Sequence, residues 1–515
     1  MSATTKRRGP TSSPGALGAL VSAVGRVCGR RRPAVDRAAR RLGDARRTDR
    51  AVNPWLVRTG TPTAPPPEPL IGPLIGRTVH GQRDIRAGWD QMHLDIWGPR
   101  TGKTAGRAIP GILSAPGNVV VTSNKRDVVD ATRGPRAERG PVWIFDPQQQ
   151  MHAAASWWWN PLGFVGGNPT RADLLAGLFM SVQRRDHQRS DGYFEPAARS
   201  LLGALLLAAD AESLPVTRIF PWLMRPTDDT PVRILRNAGH DMSAASAEGL
   251  QNLPADQRSG IYGTAAQLAS FLTASSVTAW ITPGGDRPEL KPEEFAARSD
   301  QTAYLLSDET HWAAAPLTLA LTSALAYAHE GVAIDSPLGK LARPALFVLD
   351  EAANVCPWPE LPSLYSHLGA RGIAMMITLQ SWHQGAAAWG EQGMAQLWGS
   401  ASVRVYGGGV ADIPFLEGLS HVSGVFEPET TSVSAPLLTA WWNRTMTRAS
   451  RPEPVLDAAD LVALPRGRAF VQVSGAPPVL VRTVPWWEGP YAEQVRDSIA
   501  RYGPRPSNSG RNLAR

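Results

Sequence analysis

The chain is poor in cysteine and in lysine. Two cysteines, Cys28 and Cys356, stand among 515 residues. That excludes a disulfide framework and any multi-cysteine zinc site, and a reducing, cytoplasmic setting is the simplest expectation. Only five lysines occur, Lys6, Lys103, Lys125, Lys291 and Lys340, against 48 arginines. The ten histidines include no His-Glu-x-x-His spacing, so no zinc-protease site is expected. Long apolar runs are also lacking near the N-terminus, where the longest, residues 15–25, ends at Arg26. Crossing a bilayer takes roughly twenty apolar residues. Lys6-Arg7-Arg8 imitates the start of a signal peptide, but the run leads into Arg30-Arg31-Arg32 without an Ala-x-Ala pattern. Export is therefore not expected, and a short interfacial helix is the alternative.

What is present is a globular composition, 43% hydrophobic and 19% charged. At about 150 residues per domain the length suggests two to four domains. The formal charge of +8 is uneven. Residues 1–50 carry +10, the last fifteen carry +4, and residues 51–500 carry −6. Basic tails attract phosphate backbones or anionic lipid heads, and a solvated tail without a partner is the plain alternative.

Residues 51–75 are rich in proline, with Pro62, Pro65, Pro66, Pro67, Pro69 and Pro73 among them, and read as a linker. Residues 92–97, 118–122 and 142–146 read as strands joined by short helical connections, the signature of a parallel α/β sheet. From about 170 to 297 the pattern is helical, with 172–183 and Phe194–Ala211 the clearest helices. Alternation resumes with a strand at Thr302–Leu306 and a helix over 315–329. Ala345–Leu349 is apolar throughout, as a central buried strand would be. A helix over 361–368, a strand at Ile373–Leu379, a helix over 393–398 and strands at 402–406, 469–473 and 479–484 complete the pattern. The expected fold is α/β: a P-loop NTPase core with a parallel sheet, interrupted by an all-α inserted domain, with basic disordered termini. The expected boundaries are a tail and linker at 1–75, a first core segment at 76–165, the insert at 166–300, a second core segment at 301–490 and a tail at 491–515.

The strongest motif is Gly98-Pro99-Arg100-Thr101-Gly102-Lys103-Thr104. A glycine-rich turn between strand and helix aims backbone N–H groups at a phosphate. Lys103 would reach the terminal phosphates of ATP, and the Thr104 hydroxyl would bind Mg²⁺. Three residues separate the glycines where the usual pattern has four. The second motif is Asp350-Glu351, directly after the apolar strand. Asp350 would hold the Mg²⁺ water shell and Glu351 would polarise the attacking water. Asp308-Glu309 is a rival pair, set off from its strand by Ser307, and acids often end strands at a loop. Gln380 ends the strand Ile373–Leu379. In ATPases with a RecA-like core such an amide can touch the γ-phosphate and the water and report hydrolysis. Arg371 is a candidate arginine finger reaching a neighbour's γ-phosphate in a ring, with a surface salt bridge as the plainer reading. Trp157-Trp158-Trp159 could stack on bases or pack at a domain junction, and packing is the commoner fate.

Gly98–Thr104, the stretch from Val119 to Lys125, Asn160-Pro161-Leu162, and Leu349-Asp350-Glu351-Ala352-Ala353-Asn354 through Gly369-Ala370-Arg371-Gly372-Ile373 to Leu379-Gln380-Ser381 together resemble the TraG/TraD-like coupling proteins of type IV secretion, their actinobacterial branch best. The resemblance covers roughly residues 76–490. It implies a RecA-like domain interrupted by an all-α domain, a homo-hexamer, DNA binding, and ATP hydrolysis with Mg²⁺. It also implies contact with a relaxase or relaxosome and with the secretion channel, the DNA being single-stranded during transfer. Carried over, Lys103 and Thr104 bind nucleotide and Mg²⁺, Asp350 binds Mg²⁺, Glu351 is the acid–base residue and Gln380 the sensor. The family's usual N-terminal membrane helices are not seen here, so the expected location is cytoplasmic, or peripheral at the inner face of the membrane through a partner. The function expected is an ATP-driven DNA-translocating coupling ATPase of conjugative transfer. A nucleotide-switched recruitment platform without motor activity and an FtsK-like plasmid or chromosome translocase are the alternatives.

Overall fold

The computed structural model describes residues 34–52, 72–183, 192–308, 313–427, 429–434, 445–450 and 452–504. Its frame is one large sheet. In chain order the strands are β1 Leu74–Thr78, β2 Asp84–Arg86, β3 His93–Ile96, β4 Val119–Ser123, β5 Val142–Phe145, β6 Thr302–Leu306, β7 Ala345–Leu349, β8 Ile373–Leu379 and β9 Val403–Tyr406. They continue as β10 Val425–Phe426, β11 Glu429–Ser434, β12 Thr445–Ser450, β13 Glu453–Pro454, β14 Arg468–Val473 and β15 Val479–Arg482. The order across the sheet is β2-β1-β15-β14-β9-β3-β8-β7-β4-β6-β5. From β9 to β5 every pairing is parallel, and from β14 to β2 every pairing is antiparallel. Strands β4, β6, β7 and β8 are buried along their whole length. A strand covered by helices on both faces has no polar face to alternate with, hence runs such as Ala345–Leu349.

Between β5 and β6 the described residues form helices, from Pro161–Val165 through Pro169–Gln183 and Phe194–Ala211 to Pro292–Ala297. Their core joins that of the sheet through Trp157 and Trp159, both buried. Trp157 meets Trp143 and Trp280 edge-on at 5.7 and 5.2 Å, so this tryptophan run packs at the junction. The helix Ala315–Ile334 is long and apolar enough to cross a bilayer. Here it lies against β4, β6 and β8 on one side and Pro169–Gln183 on the other.

The termini depart from expectation. Ala34–Ala38 and Ala45–Val52 are helices, and Asp36 grips Arg468 on β14 through two 2.8 Å bonds. A two-pronged carboxylate–guanidinium pair, buried on the acid side, fixes this part of the basic N-terminus to the sheet edge. At the other end the helix Ala492–Tyr502 docks on Asp127–Ala137. Ser498 Oγ donates to the Asp130 carbonyl at 2.7 Å and accepts from the Gly134 N–H at 3.0 Å. The tail expected from residue 491 therefore starts no earlier than Gly503. Strand β1, which starts at Leu74, likewise carries order back into the stretch read as linker. Cys28, residues 1–33 and 53–71, and the basic end 505–515 lie outside the described residues.

One buried cluster ties β3 to the helical run that follows it. His93 and Asp95 face the same side of β3, and Arg107, fully buried, meets Asp95 Oδ2 at 2.7 Å and His93 Nδ1 at 2.9 Å. Burial first, and the Arg107 charge second, hold His93 well below its usual pKa, so it is neutral and can accept.

Candidate active site

The carboxyl ends of the parallel strands lie along one edge of the sheet, where an α/β fold collects its ligand groups. Gly98–Thr104 follows β3, Asn124 follows β4, Asp350-Glu351 follows β7 and Gln380 follows β8. Because β8 sits directly beside β3 and β7 directly beside β8 in the sheet, their end residues face the loop. Strand β6 lies beyond β4, which places Asp308 away from the loop; Glu309 is outside the described residues.

The loop bends as a phosphate cradle must. Arg100 and Gly102 are left-handed, with φ of 59° and 98°, and Thr101 Oγ1 donates to the Gly98 carbonyl at 2.5 Å. A Cβ at Gly98 would stand 2.1 Å from the Gly409 carbonyl oxygen, so only glycine lets the loop approach the turn after β9. Gly98 N–H donates to the Gly408 carbonyl at 2.9 Å. Lys103 opens the helical run, whose first turn, Thr104–Ala108, is a wide π-turn. Pro110 accounts for it: the ring lacks an N–H for the Gly106 carbonyl and would clash with it in an α-turn.

Lys103 Nζ lies 2.8 Å from Glu351 Oε1 and 3.2 Å from Asp350 Oδ1. The other Glu351 oxygen accepts from Asn124 Nδ2 at 2.7 Å. Thr378 on β8 links the pair, donating from Oγ1 to Asp350 Oδ1 at 2.7 Å and accepting the Glu351 N–H at 3.1 Å. Glu351 is itself left-handed, φ 51°, an uncommon state for this residue type that the surrounding bonds hold in place. Burial pushes the Glu351 carboxyl up, but the hydrogen bond and charge of Lys103, a hydrogen bond from Gln380 and the charge of Lys125 outweigh it and leave it below its usual value. Glu351 is thus an ionised, buried base. The Gln380 N–H also binds the side chain of Gln384 at 2.8 Å, on the helix Trp382–Ser400.

The structure brings Lys103, Asp350, Glu351 and Gln380 together, with Thr104 on the turn beside Lys103. It does not bring Arg371 to them. Arg371 precedes β8, at the opposite end of a seven-residue strand, about 23 Å away, where it donates to the Gly339 carbonyl at 3.2 Å. Asn124 and Thr378 were not assigned roles from sequence. Asn124 lies just past the end of a strand, within the stretch from Val119 to Lys125 that carries the resemblance, and Thr378 lies two residues before Gln380. Among the described residues no three His, Cys, Asp or Glu side chains gather as a metal site. Asp350 and the Thr104 hydroxyl are instead hard oxygen donors suited to Mg²⁺, which takes one or two protein ligands beside substrate phosphates.

Two family profiles match the chain. One, described as "Type IV secretory system Conjugative DNA transfer", covers residues 71–283. The other, "TraM recognition site of TraD and TraG", covers 344–466. Between them they contain every residue of the site. No curated protein matches in sequence. Among solved structures, the unbound bacterial conjugative coupling protein TrwBΔN70 is 18% identical, with 78% of this chain and 87% of that chain covered and a TM-score of 0.57. TrwB in complex with ADP and Mg²⁺ is 17% identical, with coverage of 78% and 87% and a TM-score of 0.56. TrwB with the ATP analogue ADPNP is also 17% identical, with coverage of 77% and 86% and a TM-score of 0.55. This likeness establishes the fold as a RecA-like P-loop NTPase core. The chain belongs to the TraG/TraD-like coupling-protein family of type IV secretion.

Proposed function

We propose that the chain is an ATP-driven DNA translocase of conjugative transfer, coupling a DNA–protein substrate to a secretion channel. The observation that carries this reading is the convergence of Lys103, Asp350, Glu351 and Gln380 at one sheet edge, held by Asn124 and Thr378. In the arrangement described, the Lys103 charge is neutralised by two carboxylates. Incoming ATP phosphates compete for Lys103 and so release Glu351 from it. Asn124 still holds one Glu351 oxygen, which leaves the other to orient water and accept its proton. Asp350 and Thr104 would hold Mg²⁺, which offsets charge on the transferring phosphoryl group.

Gln380 supplies the coupling. Its side chain touches Glu351 and its backbone holds Gln384, so a change at the phosphate reaches the helix Trp382–Ser400. Gln380→Ala is expected to keep nucleotide affinity within about twofold while lowering DNA stimulation of turnover by about tenfold. Full stimulation in that variant would remove Gln380 from the coupling path. The proposed assembly is a homo-hexamer with ATP at subunit interfaces. Arg371, remote from its own site, would act only on a neighbour's nucleotide. The all-α segment between β5 and β6 would engage DNA or the relaxosome. The location that follows is cytoplasmic, with membrane contact through channel partners.

A further inference from the structure

At the foot of the sheet, opposite the nucleotide loop, lies a half-open groove of about 670 Å³. Pro116 and Pro344, just before β4 and β7, form part of its wall, and Pro110 another part. None of its fifteen lining residues is acidic, and three are arginines, Arg86, Arg139 and Arg343. Trp486 and Tyr491 complete the lining that matters here.

The arginines are unevenly engaged. Arg86 has a loose contact to Asp84 at 3.8 Å. Arg139 is fixed at 2.8 and 2.7 Å to the carbonyls of Ala115 and Leu113, contacts that orient its guanidinium but leave its charge uncompensated. Arg343 is exposed and makes no ion pair among the described residues. Behind Arg139 lies buried Arg136, whose pKa is lowered to about 10 by burial first and by the Arg139 charge second. Of the acids nearby, Asp300 and Glu488 are taken by Arg298 at 2.8 Å and Arg482 at 2.6 Å, and Glu138, next to Arg139 in the chain, is exposed. Positive potential therefore accumulates here, on a body whose residues 51–500 sum to −6.

Guanidinium groups beside aromatic rings match one ligand chemistry closely: phosphodiesters flanking a planar base. An acidic peptide would satisfy the arginines and leave the rings without a planar partner. We propose that this foot groove holds a segment of single-stranded nucleic acid, with phosphates on Arg139 and Arg343 and a base against Trp486 or Tyr491. The proposal rests on the translocase reading for its partner class, but it concerns a contact separate from the ATP site.

The test uses the full-length chain, a fluorescein-labelled twenty-nucleotide oligothymidylate, and Arg343→Glu, an exposed substitution outside the ATP site. The variant is expected to bind the oligonucleotide about tenfold more weakly and to show a salt slope smaller by about 0.7, one phosphate contact on a single strand. Binding of a fluorescent ATP analogue should not change. Photocrosslinking of 5-iodouracil-substituted oligonucleotide should label the peptide holding Trp486 and Tyr491 in the unmodified chain. Unchanged affinity and slope, with no label on that peptide, would overturn the groove and leave the translocase reading standing. Oligoglutamate binding that is lost in Arg343→Glu while oligonucleotide binding is kept would assign the groove to an acidic peptide and overturn the proposal. Loss only of binding to free thymidine monophosphate, without effect on the strand, would also overturn it. If the unmodified chain bound no oligonucleotide at all, the DNA part of the translocase reading would fall with it.

Discussion

Lys103→Ala is expected to abolish ATP turnover while the protein still folds. The lysine is the only cation within reach of both Asp350 and Glu351 by direct ion pair among the described residues. It is also the group placed to receive ATP phosphates, so its loss removes binding and transition-state charge stabilisation together. The same substitution has a second, pH-dependent signature. Burial raises the Glu351 pKa, and Lys103 is the largest of the groups that lower it below the usual value. In the unmodified protein the stability Glu351 contributes is present above its unfolded pKa and is lost as pH falls through the lower folded value. Without Lys103 the folded value rises, and stability is lost as pH rises through it. Removing one partner of a buried ion pair costs about 3–5 kcal/mol. The melting temperature of Lys103→Ala should therefore lie furthest below that of the unmodified protein at pH 7, and the gap should narrow toward pH 5. Retained turnover would sink the site assignment, and a gap that does not change with pH would remove the Lys103–Glu351 pair from the account of stability.

Glu351→Gln is the second large effect. Glutamine keeps the size of the side chain and can still bond Asn124, but it cannot take a proton from water. General-base loss typically costs 10²–10⁴-fold, so ATP should bind with near-normal affinity and turn over at least about a hundredfold more slowly. Single-turnover measurement with bound ATP separates the two steps. Near-normal turnover would move the catalytic role to another acid. Asp308-Glu309, the rival pair in sequence, would be next to test, although the position of Asp308 past β6 speaks against it.

The parts of this site that could be read from sequence are those set by local chain order. A strand, a glycine turn and a helix around Lys103 are contiguous, as are the apolar run Ala345–Leu349 and its two acids, and the run Ile373–Leu379 and its amide. The contacts of Asn124 and Thr378 with Glu351 depend on strand order, with β4 and β8 on either side of β7, and no local pattern encodes that. The left-handed backbone of Glu351 is invisible for the same reason, being imposed by its partners. Strand β1 is masked by Pro73 directly before it, and β2, the edge strand, by its length of three residues. In the helix Trp382–Ser400 only 393–398 is legible as helical in sequence, because Gly385 and Gly390 interrupt its pattern; Gly390 is indeed non-helical, φ 71°. At the termini, charge and polarity masked helices that hold by specific contacts, Asp36 with Arg468 and Ser498 with Gly134.

The central claim is that hydrolysis at this edge is coupled to DNA. The most direct measurement is steady-state ATPase activity of the purified full-length protein, with and without single-stranded and double-stranded DNA, beside Lys103→Ala as the blank. The account predicts turnover above the blank that rises several-fold with DNA. Nucleotide binding without turnover, in the presence or absence of DNA, would contradict it and would make the chain a nucleotide-switched platform.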